Sequence, residues 1–513
     1  MEMTMPANFR NSIRVNRECQ NGRVYHPNLY NPYPYFWWKR KKCSTKKCFQ
    51  DPVHGPIELH PLLVKIIDTP QFQRLRNIKQ LGATYFVYPG ASHNRFEHCI
   101  GTCHLAGELA RHLQAQHPEL IDDKDILCVE IAGLCHDLGH GPFSHLFDNK
   151  FLPRVGITKL KHEEVSCKMF DHLMETNQHL EGHFTDADLN MDEDLDFIKE
   201  IITGPLNDEK SSWNYRGRPR EKGFLYEIVS NGPYKVDVDK WDYFARDSYH
   251  LGIKNSFDHK RFMKFLKVLK VGEDTHICQR DKEYLNLYEM FHVRSSLHRR
   301  AYQHRVCSAI DAMICDALVV ANKHICFPGK DGKMLMISET ITDMVAFEKL
   351  TDNVLLQILH ADNRCDFMVE AKHILNRILR RDLYDYVGHS KLRAIASEAI
   401  PKCFEAEAEI AGLDQNKELK KDDIVVNVRS FDFCMGKENP LDHFMFYNKD
   451  KPDTAFQIPT DEISDMLPQT FQDHEIQVFS KDPKKSGKIK ECFQRWCRHK
   501  GYPGPLKRRN LAH

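Results

Sequence analysis

The most constraining feature of the sequence is the order H…HD…D, formed by His98, the adjacent pair His136 and Asp137, and the distant Asp239. Two neutral imidazoles and two carboxylates can hold one divalent metal while leaving coordination positions open for water and a phosphate oxygen. A fold that uses this pattern has to bring three separate segments together. The pattern therefore predicts a metal-dependent hydrolase.

The His-Asp pair follows an apolar stretch with helical spacing, and Gly139, Gly141 and Pro142 are expected to end that helix. If the last helical turn persists, His136 and His140 share a face. In a chain with 29 histidines, a single histidine is more often a surface residue or a hydrogen-bonded core residue. A His-Asp dipeptide alone is thus a weak signal for a metal, and its surroundings decide its meaning.

Helical spacing dominates from about residue 59 to residue 323, and we expect a mainly α core there. Examples are Leu105, Leu109 and Leu113, and also Phe262, Phe265, Leu266 and Leu269. The acidic segment 181–194 interrupts the pattern and is expected to be a surface loop. Helical spacing resumes in 341–385, whereas residues 424–433, 444–447 and 476–479 are strand-like, which predicts a smaller α+β C-terminal lobe.

The predicted organisation is a flexible N-terminal tail with a basic run in 1–46, a catalytic core in 47–330, a regulatory and oligomerisation lobe in 331–500, and a tail in 501–513. Lys plus Arg number 73 and Asp plus Glu number 72, so bulk charge does not indicate nucleic acid binding. The 17 cysteines include no C-x-x-C pair, which favours reduced thiols in the nucleus or cytoplasm. No apolar run is long enough to span a membrane, so no membrane partner is expected.

Six segments of the chain, in collinear order, resemble the HD-domain deoxynucleoside triphosphate triphosphohydrolases. They are residues 51–59, 70–76, 90–98, 134–142, 237–247 and 296–304. The resemblance is greatest to the vertebrate members, which join a sterile-alpha-motif domain to the HD domain. The 46 residues before the matching region are too few for that extra domain, so we expect the HD-domain helical core and its C-terminal lobe alone.

The resemblance implies a reaction and the residues that perform it. Water attacks the α-phosphorus of a dNTP with the help of the metal, and deoxynucleoside and inorganic triphosphate are released. His145 is the candidate proton donor to the leaving oxygen, because an imidazole suits that task near neutral pH. The supporting residues implied by the family are His140, Asp148, His162 and Glu163, although His162 and Glu163 could be an ordinary solvated helix pair.

The resemblance also implies a substrate pocket. Arg95, Lys240, Tyr243 and Arg294 would contact the triphosphate, as cations suit a polyanion, unless Arg95 and Lys240 merely pair with nearby acids. Gln80 and Asp247 would hold the 3′-hydroxyl, while Leu81 and Tyr302 would crowd C2′ and disfavour a ribose. His298 and Gln303 would complete the pocket. Helical spacing alone would instead assign Leu297, Ala301 and Tyr302 to the core.

Regulation by nucleotides between the subunits of a homotetramer is a further implication. The residues that match a guanine-specific site for GTP or dGTP are Lys47, Asp68, Gln73 and Arg76. A second site for a dNTP is matched by Val87, Arg261, Arg280, Lys282, Asn286, His304, Arg305, Arg381 and Lys449. Two departures from the family, Gln50 and Asp385, are expected to weaken the second site, because a carboxylate repels a triphosphate unless it points into solvent.

Several alternatives remain open from the sequence. The quartet alone also fits an HD-type phosphodiesterase or nucleotidase. The basic run between Lys39 and Lys47, beside aromatic residues, could bind single-stranded nucleic acid or act in nuclear import. The ligand set accepts zinc, iron, manganese or magnesium, with Mg²⁺ also accompanying the nucleotides. The implied physiological roles are control of dNTP pools and antiviral defence.

Overall fold

The computed structural model of the protein describes residues 46–204, 213–362, 366–392, 402–459, 467–468 and 470–505. Short 3₁₀ and π turns join many of its helices. Within these residues the helices, α1 to α17 in chain order, are Pro61–Ile67, Pro70–Gln73, Arg95–Gln116, Asp123–Cys135, Leu152–Arg154, His162–Thr176, His179–Asp186, Glu193–Thr203, Val238–Leu251, His259–Met263, Tyr284–Leu297, Arg305–Ala321, Met344–Phe347, Val354–His360, Asp366–Leu379, Cys403–Gly412 and Ser486–His499.

The strands form four small sheets. In chain order, β1 to β10 are Lys47–Asp51, Gly55–Leu59, Leu266–Val271, Asp274–Arg280, Cys326–Pro328, Met334–Met336, Asp385–Lys391, Ile424–Asp432, Phe446–Tyr447 and Gln472–Ser480. β1 and β2 form an antiparallel hairpin, and so do β5 and β6. The orders of the larger sheets are β3-β4-β9 and β7-β10-β8. The expected mainly α architecture with a smaller, sheet-containing C-terminal region is confirmed.

Helix α3 lies in the core and packs against both α4 and α9. Leu105, Leu109 and Leu113 of α3 are buried, as their spacing predicts. A capping box, in which Asn94 and Glu97 each accept a hydrogen bond from the other's backbone, fixes the start of α3 just before His98. The side chain of Asp237 likewise caps α9 by accepting from the amide of Lys240, next to Asp239.

The C-terminal sheet has an apolar cluster of its own. α16 and α17 pack on this sheet, and Ile410, Ile476, Ile489 and Trp496 are among the buried residues between them. The strand prediction for residues 424–433 is confirmed by β8, and residues 476–479 lie in β10. Residues 444–447 contribute only the two-residue strand β9.

Two local predictions were wrong. Phe265, Leu266 and Leu269 do not continue a helix, because β3 begins at Leu266 and pairs with β4 along its whole length. The acidic segment 181–194 is not a loop throughout: α7 occupies its first part and α8 begins at Glu193. There, buried Leu180 and Phe184 lie one helical turn apart, so the acidic side chains can face solvent while the helix packs.

At the end of α4 the last helical turn does not persist, which was the condition for His136 and His140 to share a face. The helix ends at Cys135 with His136 as its C-cap, and His140 donates its amide to the carbonyl of Asp137 in a following turn. His136 and His140 therefore do not share a helix face.

The cysteines among the described residues are free, and many are buried. No helix in the described part of the chain is long and apolar enough to cross a membrane. The predicted basic run before Lys46 and residues 506–513 of the predicted C-terminal tail lie outside the described residues.

Candidate metal centre and nucleotide pocket

The four residues of the H…HD…D pattern meet at one point. Nε2 of His98 is 3.5 Å from Oδ2 of Asp137 and 3.0 Å from Oδ1 of Asp239, and Nε2 of His136 is 3.5 Å from each of the same oxygens. Ligands about 2.1 Å from one ion are roughly 3.0 to 3.5 Å apart, so these separations suit a shared metal. Both Nε2 atoms are buried without a hydrogen-bond partner, as a metal ligand would be before its ion is added.

Close packing of α3 against α9 makes this convergence possible. A Cβ on Gly101 would lie 1.9 Å from Oδ1 of Asp242, so only glycine allows α9 to approach at this level. His98 lies one turn before Gly101 on α3, and Asp239 lies one turn before Asp242 on α9. The two ligands therefore face each other across the same contact.

Asp242 supports the metal ligands from behind. Its carboxylate is 2.7 Å from Nδ1 of His98 and 2.7 Å from Nε2 of His54, and it accepts two hydrogen bonds from Arg246 at 2.9 Å. Arg246 also donates to Asp51 at 2.8 Å. Such a contact orients the imidazole and leaves Nε2 free for a metal. Sequence reasoning missed Asp242 and Arg246, although 239, 242 and 246 have the spacing of one helix face.

The pocket has the electrostatics of a cation site. Burial lowers the pKa of His98, but Asp239 and Asp242 outweigh it and raise the pKa to about 10. Burial opposes ionisation of Asp137, yet Arg95 and the neighbouring histidines hold its pKa well below the usual range. Carboxylates that stay ionised around two imidazoles fit a divalent metal.

A second group of titratable residues lies beside the first. Ligand-type atoms of His140, His145, Asp148 and His162 are all within 4.8 Å of one another. The rings of His140 and His162 stack at 4.1 Å, and Nε2 of His140 is 3.3 Å from Oδ1 of Asp137, which joins the two groups. His145 is the exposed member, so it can reach a bound substrate. Glu163 contacts His162 at 3.4 Å.

The predicted sugar residues form a linked set. Tyr302 donates its hydroxyl to Asp247, whose other oxygen is 2.6 Å from Nε2 of His93. His93 was not assigned by sequence, although it lies within the matching segment 90–98. Oε1 of Gln80 and Oε1 of Gln303 are buried without hydrogen-bond partners, so both can accept from a ligand.

Other predicted pocket residues are placed as follows. Leu81 is partly buried against the core, and the rings of His298 and Tyr302 meet edge to face at 4.9 Å. Burial and the nearby Arg294 lower the pKa of His298 to about 3. Tyr243 lies edge to face with His98 at 6.4 Å.

The predicted phosphate-binding cations all pair with acids. Arg95 donates to Asp137 at 2.6 Å, Lys240 to Asp237 at 2.6 Å, and Arg294 to the carboxylate and carbonyl of Asp432 at 2.8 Å. Arg95 and Lys240 therefore do pair with nearby acids, as the alternative interpretation expected. Their role in phosphate binding stays a prediction.

The predicted guanine-site residues lie at the end of α1 and the turn after α2. Asp68 is the exposed C-cap of α1, and Gln73 donates to the carbonyl of Ile67 at 2.8 Å and accepts from Arg76 at 2.8 Å. Lys47, in β1, is exposed.

The residues predicted for the second nucleotide site form two groups, one around Glu283 and one near Val87. The set also includes Arg280 and Lys449. Arg261 and Asn286 both donate to Glu283, and Lys282 lies over the ring of Phe265 near Arg261. Arg381 donates to the carbonyl before Val87, while His304 and Arg305 contact neighbouring tyrosine rings. Arg280 lies over the ring of Tyr447, and Lys449 is exposed.

Of the two departures from the family, Gln50 lies in β1 and Asp385 is exposed at the start of β7, an edge strand.

Comparison with known proteins first gives the class. Residues 95–225 match the HD domain family, a range that contains His98, His136 and Asp137 and ends shortly before Asp239. The fold and the converging ligands define an HD-domain protein with a candidate divalent-metal centre.

Relatives over nearly the whole chain give the family. Deoxynucleoside triphosphate triphosphohydrolase SAMHD1 of Xenopus laevis is 49% identical over 90% of this chain and 76% of its own length. The human protein of the same name is 48% identical over 90% and 75%, and the Dictyostelium discoideum homolog is 35% identical over 90% and 83%. The chain belongs to this family of HD-domain deoxynucleoside triphosphate triphosphohydrolases.

Proposed function

We propose that the protein hydrolyses deoxynucleoside triphosphates to deoxynucleoside and inorganic triphosphate. Water attacks the α-phosphorus, the bond from that phosphorus to the 5′-oxygen breaks, and the 5′-oxygen takes up a proton. The observation that carries the proposal is the convergence of the four H…HD…D side chains in a chain 49% identical to a relative named for this reaction. A divalent metal held by these side chains would supply Lewis-acid activation of water and phosphate.

His145 is the proposed proton donor to the 5′-oxygen. It is exposed, and its ring meets those of His140 and His162 edge to face at 5.0 and 5.4 Å. Asp148 lies 4.0 Å from its Nδ1 and can orient the imidazole. A triphosphate brought beside this histidine favours its protonated form, which is the form that a general acid needs.

Sugar selection follows from unpaired acceptors as well as from shape. The buried oxygen of Gln80 can accept from the 3′-hydroxyl, and Asp247 is held in place by His93 and Tyr302. An analogue without that hydroxyl leaves a buried acceptor unsatisfied, which discriminates more strongly than crowding alone. Leu81 and Tyr302 are proposed to crowd C2′ and exclude ribonucleotides.

Arg95, Lys240, Tyr243 and Arg294 are proposed to bind the triphosphate. Arg95 keeps its contact with Asp137 and so spans the metal ligands and the substrate, whereas Lys240 and Arg294 can turn from single acids toward phosphate oxygens. Cations already held near the pocket need little reorganisation to bind a polyanion.

Activation by GTP or dGTP and by dNTPs, with assembly into a homotetramer, is proposed from the grouped residues described above. Cationic and amide side chains in separate surface neighbourhoods suit nucleotides that bridge subunits. Mg²⁺ would accompany these nucleotides. Control of dNTP pools in the nucleus and cytoplasm, with antiviral defence as a consequence, is the proposed role, and single-stranded nucleic acid is proposed as a further partner.

The test incubates purified protein and Mg²⁺ with dGTP alone, with dATP plus GTP, and with GTP alone, and separates the products by chromatography. We expect triphosphate and deoxynucleoside from the first two mixtures and little product from the third. The Asp137→Asn variant, which has one ligand changed, is the matched negative control. Release of pyrophosphate and monophosphate would refute the proposal in favour of an HD-type nucleotidase.

A further inference from the structure

The turn before His145 has an unusual backbone. Phe143 and Ser144 have φ angles of 59° and 56°, in the left-handed region that residues with a Cβ avoid. Such a conformation is strained, so it persists only where surrounding contacts hold it. The residues that hold this turn therefore also determine where His145 lies.

Asp352, from the segment before α14, provides one of these contacts and joins the turn to a second part of the pocket. One carboxylate oxygen accepts from the amide of Phe143 at 2.6 Å, and the other accepts from the amide of Lys79 at 2.9 Å. The amide of Asp352 donates to the carbonyl of Asn77 at 3.1 Å. One side chain thus bonds the turn at 143 and the segment 77–82, which carries Gln80 and Leu81.

The same two segments touch at two further points. The hydroxyl of Ser144 donates to the carbonyl of Lys79 at 2.7 Å and accepts from Nε of Arg95 at 3.0 Å. A Cβ on Gly82 would lie 2.6 Å from the carbonyl oxygen of Phe143, so the segments pack without a gap. A displacement of either segment would be transmitted to the other and, through Arg95, to Asp137.

Capping of helix α14 does not explain why an aspartate stands at position 352. Asn353 is the N-cap of α14, and the hydrogen bonds of Asp352's oxygens run to segments distant in the chain. Asp352 also borders a cavity of about 260 Å³ that is lined mainly by apolar side chains such as Phe86, Leu355 and Leu375. Burial raises the pKa of Asp352 to about 6. Because burying an ionisable side chain costs free energy, packing alone does not explain an aspartate at this position.

We propose that Asp352 is a positioning residue for the reaction: it locks the turn 143–145 against the segment 77–82 and so sets the proton donor relative to the sugar-binding residues. The inference rests on the proposed function, which supplies the reaction. In this proposal Asp352 contacts neither the substrate nor the metal. It acts through His145 on proton delivery and through Gln80 and Leu81 on sugar choice.

The test variant is Asp352→Asn, which keeps the shape but offers one acceptor oxygen and turns an amide N–H toward the other backbone N–H. The matched control is Asp343→Asn, because Asp343 also accepts backbone N–H groups, from Lys330, Val345 and Ala346, but bonds neither pocket segment. For both variants we would measure kcat, KM, the pH profile and the dGTP to GTP rate ratio. Metal content and hydrogen exchange of peptides covering 77–82 and 138–146 would complete the comparison.

We expect Asp352→Asn to lower kcat about 10- to 100-fold, because a small misplacement of a catalytic group has effects of that size. The pH profile should shift, the dGTP to GTP ratio should fall, and both peptides should exchange faster, while metal content is kept. Asp343→Asn should stay near wild type in all of these. If Asp352→Asn does not fold, Ser144→Ala is the second variant. It removes the hydrogen bond from the Ser144 hydroxyl to the carbonyl of Lys79, which joins the same two segments, and it should show the same pattern.

Two results would overturn the inference. One is wild-type exchange and selectivity in the Asp352 variant. The other is a uniform loss of stability and metal with an unchanged pH profile, which would indicate a structural role only. If wild-type protein releases no triphosphate, the proposed function itself fails, and the exchange data still decide whether Asp352 holds the turn.

Discussion

The metal quartet and the predicted regulatory residues differ in burial and in how firmly their side chains are held. The quartet is enclosed by helices, and its ligands are held by partners such as Asp242 and Arg95. Many regulatory residues, including Asp68, Arg76 and Lys449, are exposed. The first site is assembled by the packing of one chain. The residues of the second site lie at the surface in separate neighbourhoods, and in the proposed regulation a bound nucleotide would connect them.

The physical difference is the surrounding medium. Inside the core water is excluded and electrostatic interactions are strong, so one lost contact has a large effect. At the surface, water and salt screen charges, and long side chains keep their freedom until a ligand binds. Substitutions in the quartet should therefore cause larger changes than substitutions in the regulatory set.

The largest effect is expected for Asp137→Asn or His98→Ala. Loss of one of four ligands should lower metal content and reduce turnover by about 1000-fold or more, because metal activation is worth several kcal/mol. Metal analysis and product release measure the effect, and exposed His179→Ala is the matched control. Wild-type turnover and metal content in either variant would remove the quartet from its assigned role.

A smaller loss is expected for Asp242→Asn, which disturbs the support of His98 but not a ligand. Metal affinity should fall about 10- to 100-fold. Asp51→Asn is the control, since it weakens the contact with the same Arg246 without touching His98. Metal titration of both variants separates the two effects, and equal affinities would show that the Asp242–His98 contact does not tune the site.

The regulatory side of the comparison is tested by Asp68→Ala. At a GTP concentration that activates the wild-type protein, we expect activation of dATP hydrolysis to be lost, because the activating concentration should rise by about 5- to 150-fold, as a coupling energy of about 1 to 3 kcal/mol implies. Sedimentation should show less tetramer at a given GTP concentration. Asp422→Ala, another exposed aspartate, should behave as wild type. Full activity in a nucleotide-free monomer would contradict the regulatory proposal.

The smallest effect is expected for Asp385→Lys. Because Asp385 is exposed, reversal of its charge should lower the activating dATP concentration at fixed GTP by at most about fivefold, and added salt should weaken the gain. A dATP titration of both proteins measures the shift. A change as large as that of Asp68→Ala would mean that surface screening does not distinguish the two sites.

Several elements could be predicted because their signal is local. The apolar spacing of Leu105, Leu109 and Leu113 predicts α3, and the strand-like segment at 424–433 predicts β8. The errors occurred where strand pairing or the packing of a helix decides the outcome. The segment from Leu266 is a strand because β4 pairs with it, and α7 forms because buried Leu180 and Phe184 compensate for an acidic surface.

For the site, the sequence by itself determined the chemical types: two imidazoles and two carboxylates in an order that permits one metal. It could not assign Asp242, His93 or Asp352, because each acts through a contact with a residue far away in the chain. Only the tertiary structure decided that Gly101 lets α9 approach α3, and that strained Phe143 is held by Asp352. The physical reason is that ligand identity is a property of each residue, whereas ligand geometry is a property of how the helices pack.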